Sequence, residues 1–217
     1  MTHIIEISQQ GTPFEQPACD SIDRLLLLEL CHRVNNEFAA AISAVSRAAA
    51  ASSHEEVKFA LETVQDRLLN YAQVHHALQM PDYGIRVDMG AYLKRLCCAI
   101  CRSKLDSKGI ELVLTECSLS LSSERCWRLG MIVSELITNS VRHAFGEAGG
   151  EIRVEIVSAG ALVECHVTDN GSAKSEISPG RGLRIIEALA DHLDGRVEHR
   201  FGPHGSATTV IFPVDIN

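Results

Sequence analysis

The sequence predicts an α+β protein: an antiparallel helical hairpin that forms a dimeric four-helix bundle, followed by an α/β sandwich. Three observations carry this. Residues 21–80 hold two apolar seams at alternating spacings of three and four, the period of packed helices. Pro81-Asp82-Tyr83-Gly84 then halts the helical pattern and marks a boundary, so the second domain is read over residues 83–217. Beyond it, strand and helix patterns follow one another without strict alternation, which disfavours a parallel βαβ arrangement.

Residues 1–20, with Gly11, Pro13 and Pro17 and no sustained period, are read as a flexible leader. The first helix follows from Ser21, with Leu27, Cys31, Val34, Phe38, Ala41, Val45 and Ala48 on its seam. The second carries Val57, Leu61, Val64, Leu68, Tyr71, His75 and Leu78, and Ser53 with Glu56 reads as the capping box that starts it. Each helix would be about 40 Å long at 1.5 Å per residue. Two such helices cannot bury both seams alone, whereas four can, so a homodimer is expected.

In the second domain a strand is expected near Ile85–Val87, a helix over Met89–Leu105 and a strand over Ile110–Leu114. Ser122-Ser123 caps the next helix. Glu151–Val157 and Ala161–Val167 read as a strand pair, Leu183–Leu193 as a helix, and Arg196–Arg200 with Ala207–Pro213 as a closing hairpin.

Composition narrows the function. The 217 residues are 46% hydrophobic, ample for a buried core. A net charge of −8, without a dense Lys/Arg cluster, argues against nucleic acid as a partner. No run is long enough to span a bilayer and the N-terminus lacks the regions of a signal peptide, so a cytoplasmic location without a membrane span is expected. The eight cysteines lie mostly inside apolar periodic segments. Cys97, Cys98 and Cys101 are therefore read as core packing, because a structural zinc site would need a second ligand pair.

Chemistry concentrates in Ser134 to His143. At 100° per residue, Glu135, Asn139 and Arg142 fall within about 60° of one another with His143 beside them, while Val133, Ile137, Val141 and Ala144 cluster opposite. A carboxylate and a carboxamide suit a hard cation, and basic neighbours offset phosphate charge. A solvated polar face has the same pattern. Further on, Asp169-Asn170-Gly171 follows a strand and Gly180-Arg181-Gly182-Leu183 precedes a helix. Glycines allow close approach of phosphates, helix N-termini favour anions, and Asp169 is placed to accept a hydrogen bond from an exocyclic amine. Each motif alone also fits an ordinary turn. Their order within one span of chain is the stronger signal.

These motifs resemble those of two-component sensor histidine kinases, whose catalytic domain is of the Bergerat ATP-binding type. Glu135 to His143 is similar to the family's N box, Asp169-Asn170-Gly171 to its first glycine box, and Gly180-Arg181-Gly182-Leu183 to its second. Gly205-Ser206-Ala207-Thr208 resembles its last glycine/threonine element, and His32-Arg33-Val34-Asn35-Asn36 resembles a phosphoacceptor box that begins His-Arg-Val-Lys-Asn-Asn. His32 lies one residue past seam position Cys31 and should project from the bundle flank. His75 is on a seam and is read as a packed or hydrogen-bonded core histidine.

The resemblance implies that residues 21–80 are a dimerisation and phosphotransfer hairpin and residues 83–217 an ATP-binding catalytic domain. It implies ATP bound with its base near Asp169, its phosphates under 170–182 by Gly171, Gly180, Gly182 and Leu183, and Thr208 nearby. Mg²⁺ would be held through Asn139 with Glu135, and Arg142 and His143 would offset charge. His32 would be the acceptor, Glu135 a base or orienting group, and a response-regulator receiver domain the next acceptor. No sensory domain fits the short leader, so a separate sensor protein is expected. The sequence departs from the family at Asn35, Glu37 and Ala173, and its lid, Ser172–Pro179, is short. The alternative is a histidine phosphotransfer adaptor with a degenerate ATPase domain. A Bergerat-type serine kinase would leave the hairpin and His32 unexplained.

Overall fold

The computed structural model describes residues 18–80, 84–115, 118–146, 149–172 and 180–214. Helix α1 (Ala18–Ala51) and helix α2 (Glu55–Ala77) form the antiparallel hairpin. Ordered helix thus begins three residues before Ser21, and residues 1–17 lie outside the described residues. The expected capping box does not form. His54 is the N-cap of α2 and its side chain makes no capping bond, while Ser52 Oγ accepts from His54 N at 3.3 Å. Ser52 alone bonds the backbone of His54 at this corner, in place of the Ser53–Glu56 pair.

Each seam divides into two lines. Cys31, Phe38 and Val45 of α1, with Asn35, Ile42 and Ala49, are the residues withdrawn from solvent, as are Leu61, Gln65, Leu68, Ala72 and His75 of α2. The alternate seam positions remain open. Leu27, Val34, Val57, Val64 and Tyr71 are exposed by 45%, 37%, 47%, 46% and 46%, and they recur at intervals of seven. A line at heptad spacing that is dry in neither helix of the hairpin is what a second hairpin would cover. His75 is half-buried: Nδ1 lies 3.0 Å from Asn35 Oδ1 and its ring meets that of Phe38 at 6.1 Å.

The second domain is a two-layer sandwich. Strand β1 (Arg86–Asp88) pairs with β3 (Ser120–Ser122), a strand too short for its pattern to be read beforehand. Helix α3 (Met89–Ile100) is capped by Asp88, whose side chain accepts from Ala91 N at 3.0 Å, and widens into a π-type turn over Cys101–Leu105. Strand β2 (Ile110–Leu114), β4 (Gly150–Ala159), β5 (Leu162–Asp169), β6 (Arg196–Gly202) and β7 (Gly205–Pro213) form one sheet in the order β2-β4-β5-β7-β6, with only the β2–β4 pair parallel. Helix α4 (Ser123–His143) starts on Ser122, which accepts from Arg125 N at 3.4 Å, and helix α5 (Arg181–Asp191) follows the glycine-bounded loop.

The core lies between the sheet and α3, α4 and α5. Alternate residues Ile152, Val154 and Ile156 of β4, Val163, Cys165 and Val167 of β5, and Val210 and Phe212 of β7 are buried against Leu93, Leu96, Ile132, Val133, Ile137 and Ile186. Arg125 ties the layers together by donating to the carbonyls of Leu193 and Pro213 at 2.8 and 2.6 Å. The hairpin joins the sandwich through Trp127, whose indole N–H donates to the Leu78 carbonyl at 2.9 Å.

The cysteine reading holds for Cys97, which is buried, and burial pushes its thiol up to about 12. It fails for Cys98, which is exposed. One residue along an amphipathic helix is a turn of about 100°, enough to carry a side chain from core to surface. Among the described residues no group of three or more His, Cys, Asp or Glu is placed to hold a metal ion, and no helix is long and apolar enough to cross a membrane.

Candidate functional site

Four separate segments converge on a cavity of about 720 Å³ beside α4. Its walls include Glu135, Asn139, Arg142 and His143 from α4, Asp169 from the end of β5, Gly180, Gly182 and Leu183 from the start of α5, and Thr208 from β7. Every candidate nucleotide residue except Gly171 thus lines one space. His32 does not. Residues 173–179, with Ala173 and most of the expected lid, lie outside the described residues.

Asp169 is the buried anchor of the cavity. One carboxylate oxygen accepts from the backbone N–H groups of Gly171 and Ser206 at 3.1 and 3.2 Å; the other accepts from the hydroxyls of Ser140, at 2.8 Å, and Ser206. Four donors match the acceptor capacity of a carboxylate, so its orientation is set by the surrounding chain. Ser140 and Ser206 are functional positions that the sequence reading did not single out. Ser206 stands opposite Asp169 in the β5–β7 register, and Ser140 reaches it from the buried side of α4. Only its place in the Gly205-Ser206-Ala207-Thr208 run hinted at Ser206.

Gly171 and Gly182 act by proximity rather than by unusual dihedrals, whereas a Cβ on Gly180 would meet nothing within 4 Å. Gly171, Gly180 and Gly182 are absent from the positive-φ residues, so the turn explanation for these motifs is not the operative one. A Cβ on Gly182 would sit 2.3 Å from Glu135 Oε1 and 3.3 Å from Asn139 Nδ2. The first turn of α5 therefore presses directly on the polar edge of α4. Gly180, Arg181, Gly182 and Leu183 line the cavity at the start of α5, and a helix N-terminus favours an anion.

Two further groups support the site. Lys104, from the widened turn after α3, donates to Thr138 Oγ1 at 2.8 Å, and Thr138 in turn donates to the Ser134 carbonyl at 2.8 Å. Burial pushes the Lys104 ammonium below the usual lysine range; Glu135 opposes that shift and Arg142 adds to it. A cation thus stands behind the Glu135–Arg142 edge. On the other wall, His199 Nδ1 lies 2.8 Å from Thr208 Oγ1, and burial lowers its imidazole below the ordinary value, partly offset by Glu187.

On the hairpin, His32 is exposed and Asn36 Nδ2 lies 3.1 Å from its Nδ1. Arg33 pairs with Glu29 one turn back at 2.8 Å. An imidazole on an open flank is accessible to a second domain.

Comparison with known proteins agrees with both halves of the chain. Residues 29–104 match the family model described as "Histidine kinase", and residues 107–212 the one described as "Histidine kinase-like ATPase domain". The chain belongs to the histidine kinases. It is 26% identical over 223 residues to Blue-light-activated histidine kinase 2 of Erythrobacter litoralis, covering 97% of this chain and 62% of that protein. It is 25% identical over 195 residues to the sensor histidine kinase PdtaS of Mycolicibacterium smegmatis, covering 84% of this chain and 38% of that one. The chain therefore spans less than two thirds of these relatives. A stretch of 85 residues is 42% identical to the serine-protein kinase RsbW of Listeria monocytogenes, covering 30% of this chain. Among solved structures, the histidine kinase domain of the Erythrobacter litoralis EL346 blue-light activated kinase superposes with a TM-score of 0.57 at 21% identity, covering 82% of this chain and 96% of that one. The hairpin and the ATPase part each carry a match of their own to a histidine kinase family model.

Proposed function

We propose that this protein is a cytoplasmic histidine kinase that phosphorylates His32 from Mg-ATP and passes the phosphoryl group to an aspartate of a response-regulator receiver domain. The observation that carries this reading is the convergence of Glu135, Asn139, Asp169, Gly182 and Thr208 on one cavity of nucleotide size. Residues 21–80 act as the dimerisation and phosphotransfer hairpin, and residues 83–217 as the catalytic domain.

The residues fit the ligand. A buried carboxylate at one end suits the exocyclic amine of adenine, with one serine hydroxyl rotating to release a lone pair. The N-terminus of α5, with Gly180, Gly182 and Leu183 flanked by Gly171, suits phosphates. Asn139 and Glu135 are the oxygen donors that would hold Mg²⁺, which when bound screens the triphosphate and the leaving oxygen. Arg142 and His143 offset the remaining charge. With Nδ1–H of His32 directed at the carboxamide oxygen of a turned Asn36, the Nε2 lone pair is free to attack. The Nε2–P bond forms as the bond between the γ-phosphorus and its bridging oxygen breaks; ADP leaves and the imidazole sheds its extra proton to a base, a role we assign to Glu135 once His32 is brought to the cavity. Because His32 lies outside the cavity, either the hairpin moves relative to the sandwich or a partner subunit's hairpin supplies the acceptor.

Incubation with γ-labelled ATP and Mg²⁺ tests the reading. Wild type acquires acid-labile label, while His32→Ala and Asn139→Ala each lose it by about a hundredfold or more. If the wild type takes no label from ATP yet accepts it at His32 from a phosphorylated receiver, the adaptor reading replaces the kinase. The homodimer rests on the open line of Leu27, Val34, Val57, Val64 and Tyr71. Val34→Glu with Val64→Glu places charge on that line in both helices. Light scattering should report a dimer for wild type and a monomer for the double variant; a monomeric wild type at micromolar concentration defeats the dimer.

A further inference from the structure

A second cavity, of about 810 Å³, opens where the hairpin meets the sandwich, between the end of α2 and the outer side of α3. It shares no lining residue with the cavity beside α4. Met80 and Ile85 contribute apolar surface, Gln73 and His76 of α2 contribute polar groups, and Lys94, Arg95 and Arg102 of the α3 segment contribute basic groups. Among the described lining residues there is no carboxylate. That is unusual for a chain of net charge −8. Residues 89–105 contain no Asp or Glu; the flanking acids are Asp88, which caps α3, and Asp106. Lys94, Arg102 and His76 make no ion pair among the described residues, and the Arg95 guanidinium lies 6.0 Å from the centroid of the Tyr92 ring.

Like charges gathered in a concave, partly apolar space repel unless an anion joins them. A solvated basic face would need neither a cavity nor contributions from two domains. We propose that this cavity binds a small organic anion with a flat apolar body and two or more phosphate or carboxylate charges. The body would lie against Ile85 and Met80, and the charges against Lys94, Arg95 and Arg102. Because Gln73, His76 and Met80 belong to the hairpin and Lys94, Arg95 and Arg102 to the sandwich, the bound anion ties α2 to α3. This joint is otherwise held by few polar contacts, such as Asn70 Nδ2 donating to the Arg102 carbonyl at 3.3 Å. Occupancy therefore sets how the hairpin stands against the catalytic domain. The inference is independent of whether the protein uses ATP.

The test uses the full chain and a planar trisulfonate dye, 8-hydroxypyrene-1,3,6-trisulfonate, read by fluorescence anisotropy with Mg-ATP in excess, alongside inorganic pyrophosphate as a competitor that carries charge without an apolar body. Saturable binding of one dye per chain is expected, weakened about tenfold or more in Lys94→Gln with Arg102→Gln. Both residues are exposed, and an unchanged thermal midpoint shows that the variant folds. Cys98 lines the cavity and is exposed, so bound dye should slow its alkylation by a maleimide about fivefold or more, read by peptide mass. Pyrophosphate should displace the dye only at higher concentration. Absent saturation, binding undiminished in the double variant, displacement by ATP, or unprotected Cys98 each overturns the proposal. So does protection of Cys98 by an acidic protein domain when neither small anion binds.

Discussion

Asp169→Asn should lower ATP affinity on the order of a hundredfold while costing only about 1–2 kcal/mol of stability. The two effects separate because of how the carboxylate is held. One oxygen takes two backbone N–H groups, from Gly171 and Ser206, which cannot change direction; the other takes two hydroxyls, from Ser140 and Ser206, which can. An asparagine keeps its oxygen on the backbone side and turns its amide nitrogen toward the serines, whose hydroxyls rotate to accept. The fold survives. What disappears is the acceptor facing the cavity, and a donor now meets the exocyclic amine of the base. Calorimetric titration with a non-hydrolysable ATP analogue, beside thermal unfolding, checks both numbers. Wild-type affinity in a folded Asp169→Asn protein would remove the base-reading role from this residue.

Gly205→Ala should destabilise the protein by about 4 kcal/mol, combining a backbone conformation that side chains avoid with a clash against rigid chain. Gly205 has φ of 127°, and an added Cβ would lie 1.9 Å from the carbonyl oxygen of Asp169. Nothing there yields easily, because that carbonyl ends β5 where Asp169 pairs with Ser206. For a chain of this size the midpoint should fall by about 10 °C. Gly160→Ala is the control. Its φ is 65° but nothing lies within 4 Å of the added carbon, so the cost should stay near 1 kcal/mol. Differential scanning of the two variants distinguishes strain alone from strain with collision; equal losses would mean that the β5 terminus gives way. Movement of Asp169 would also weaken nucleotide binding in Gly205→Ala and leave it intact in Gly160→Ala.

Much of this protein was legible beforehand because its signals are local. The helix of α4 and its polar edge depend on residues three and four apart, and the β4–β5 and β6–β7 hairpins on alternation either side of a short turn. The Ser53–Glu56 cap failed because α2 starts one residue later, with His54 as its N-cap, and Ser52 rather than Ser53 takes the backbone N–H at that corner. Cys98 was misplaced because its run of apolar neighbours hides a turn of the helix. Strand β3 is three residues long and exists only through its pairing with β1. Lys104 carries no motif; its link to Thr138 comes from two segments 34 positions apart.

By itself the sequence determined the kinds and order of the elements and the chemistry available at Glu135, Asn139, Asp169 and the glycine-rich turns. Periodicity and capping are short-range, so each element is specified by its own neighbours. Only the tertiary structure decided that Ser140 and Ser206 hold Asp169, that Gly182 abuts Glu135, and that Leu27, Val34, Val57, Val64 and Tyr71 of the hairpin seams stay exposed. Those outcomes follow from sheet register and helix packing, which couple residues distant in the chain through excluded volume and hydrogen-bond satisfaction.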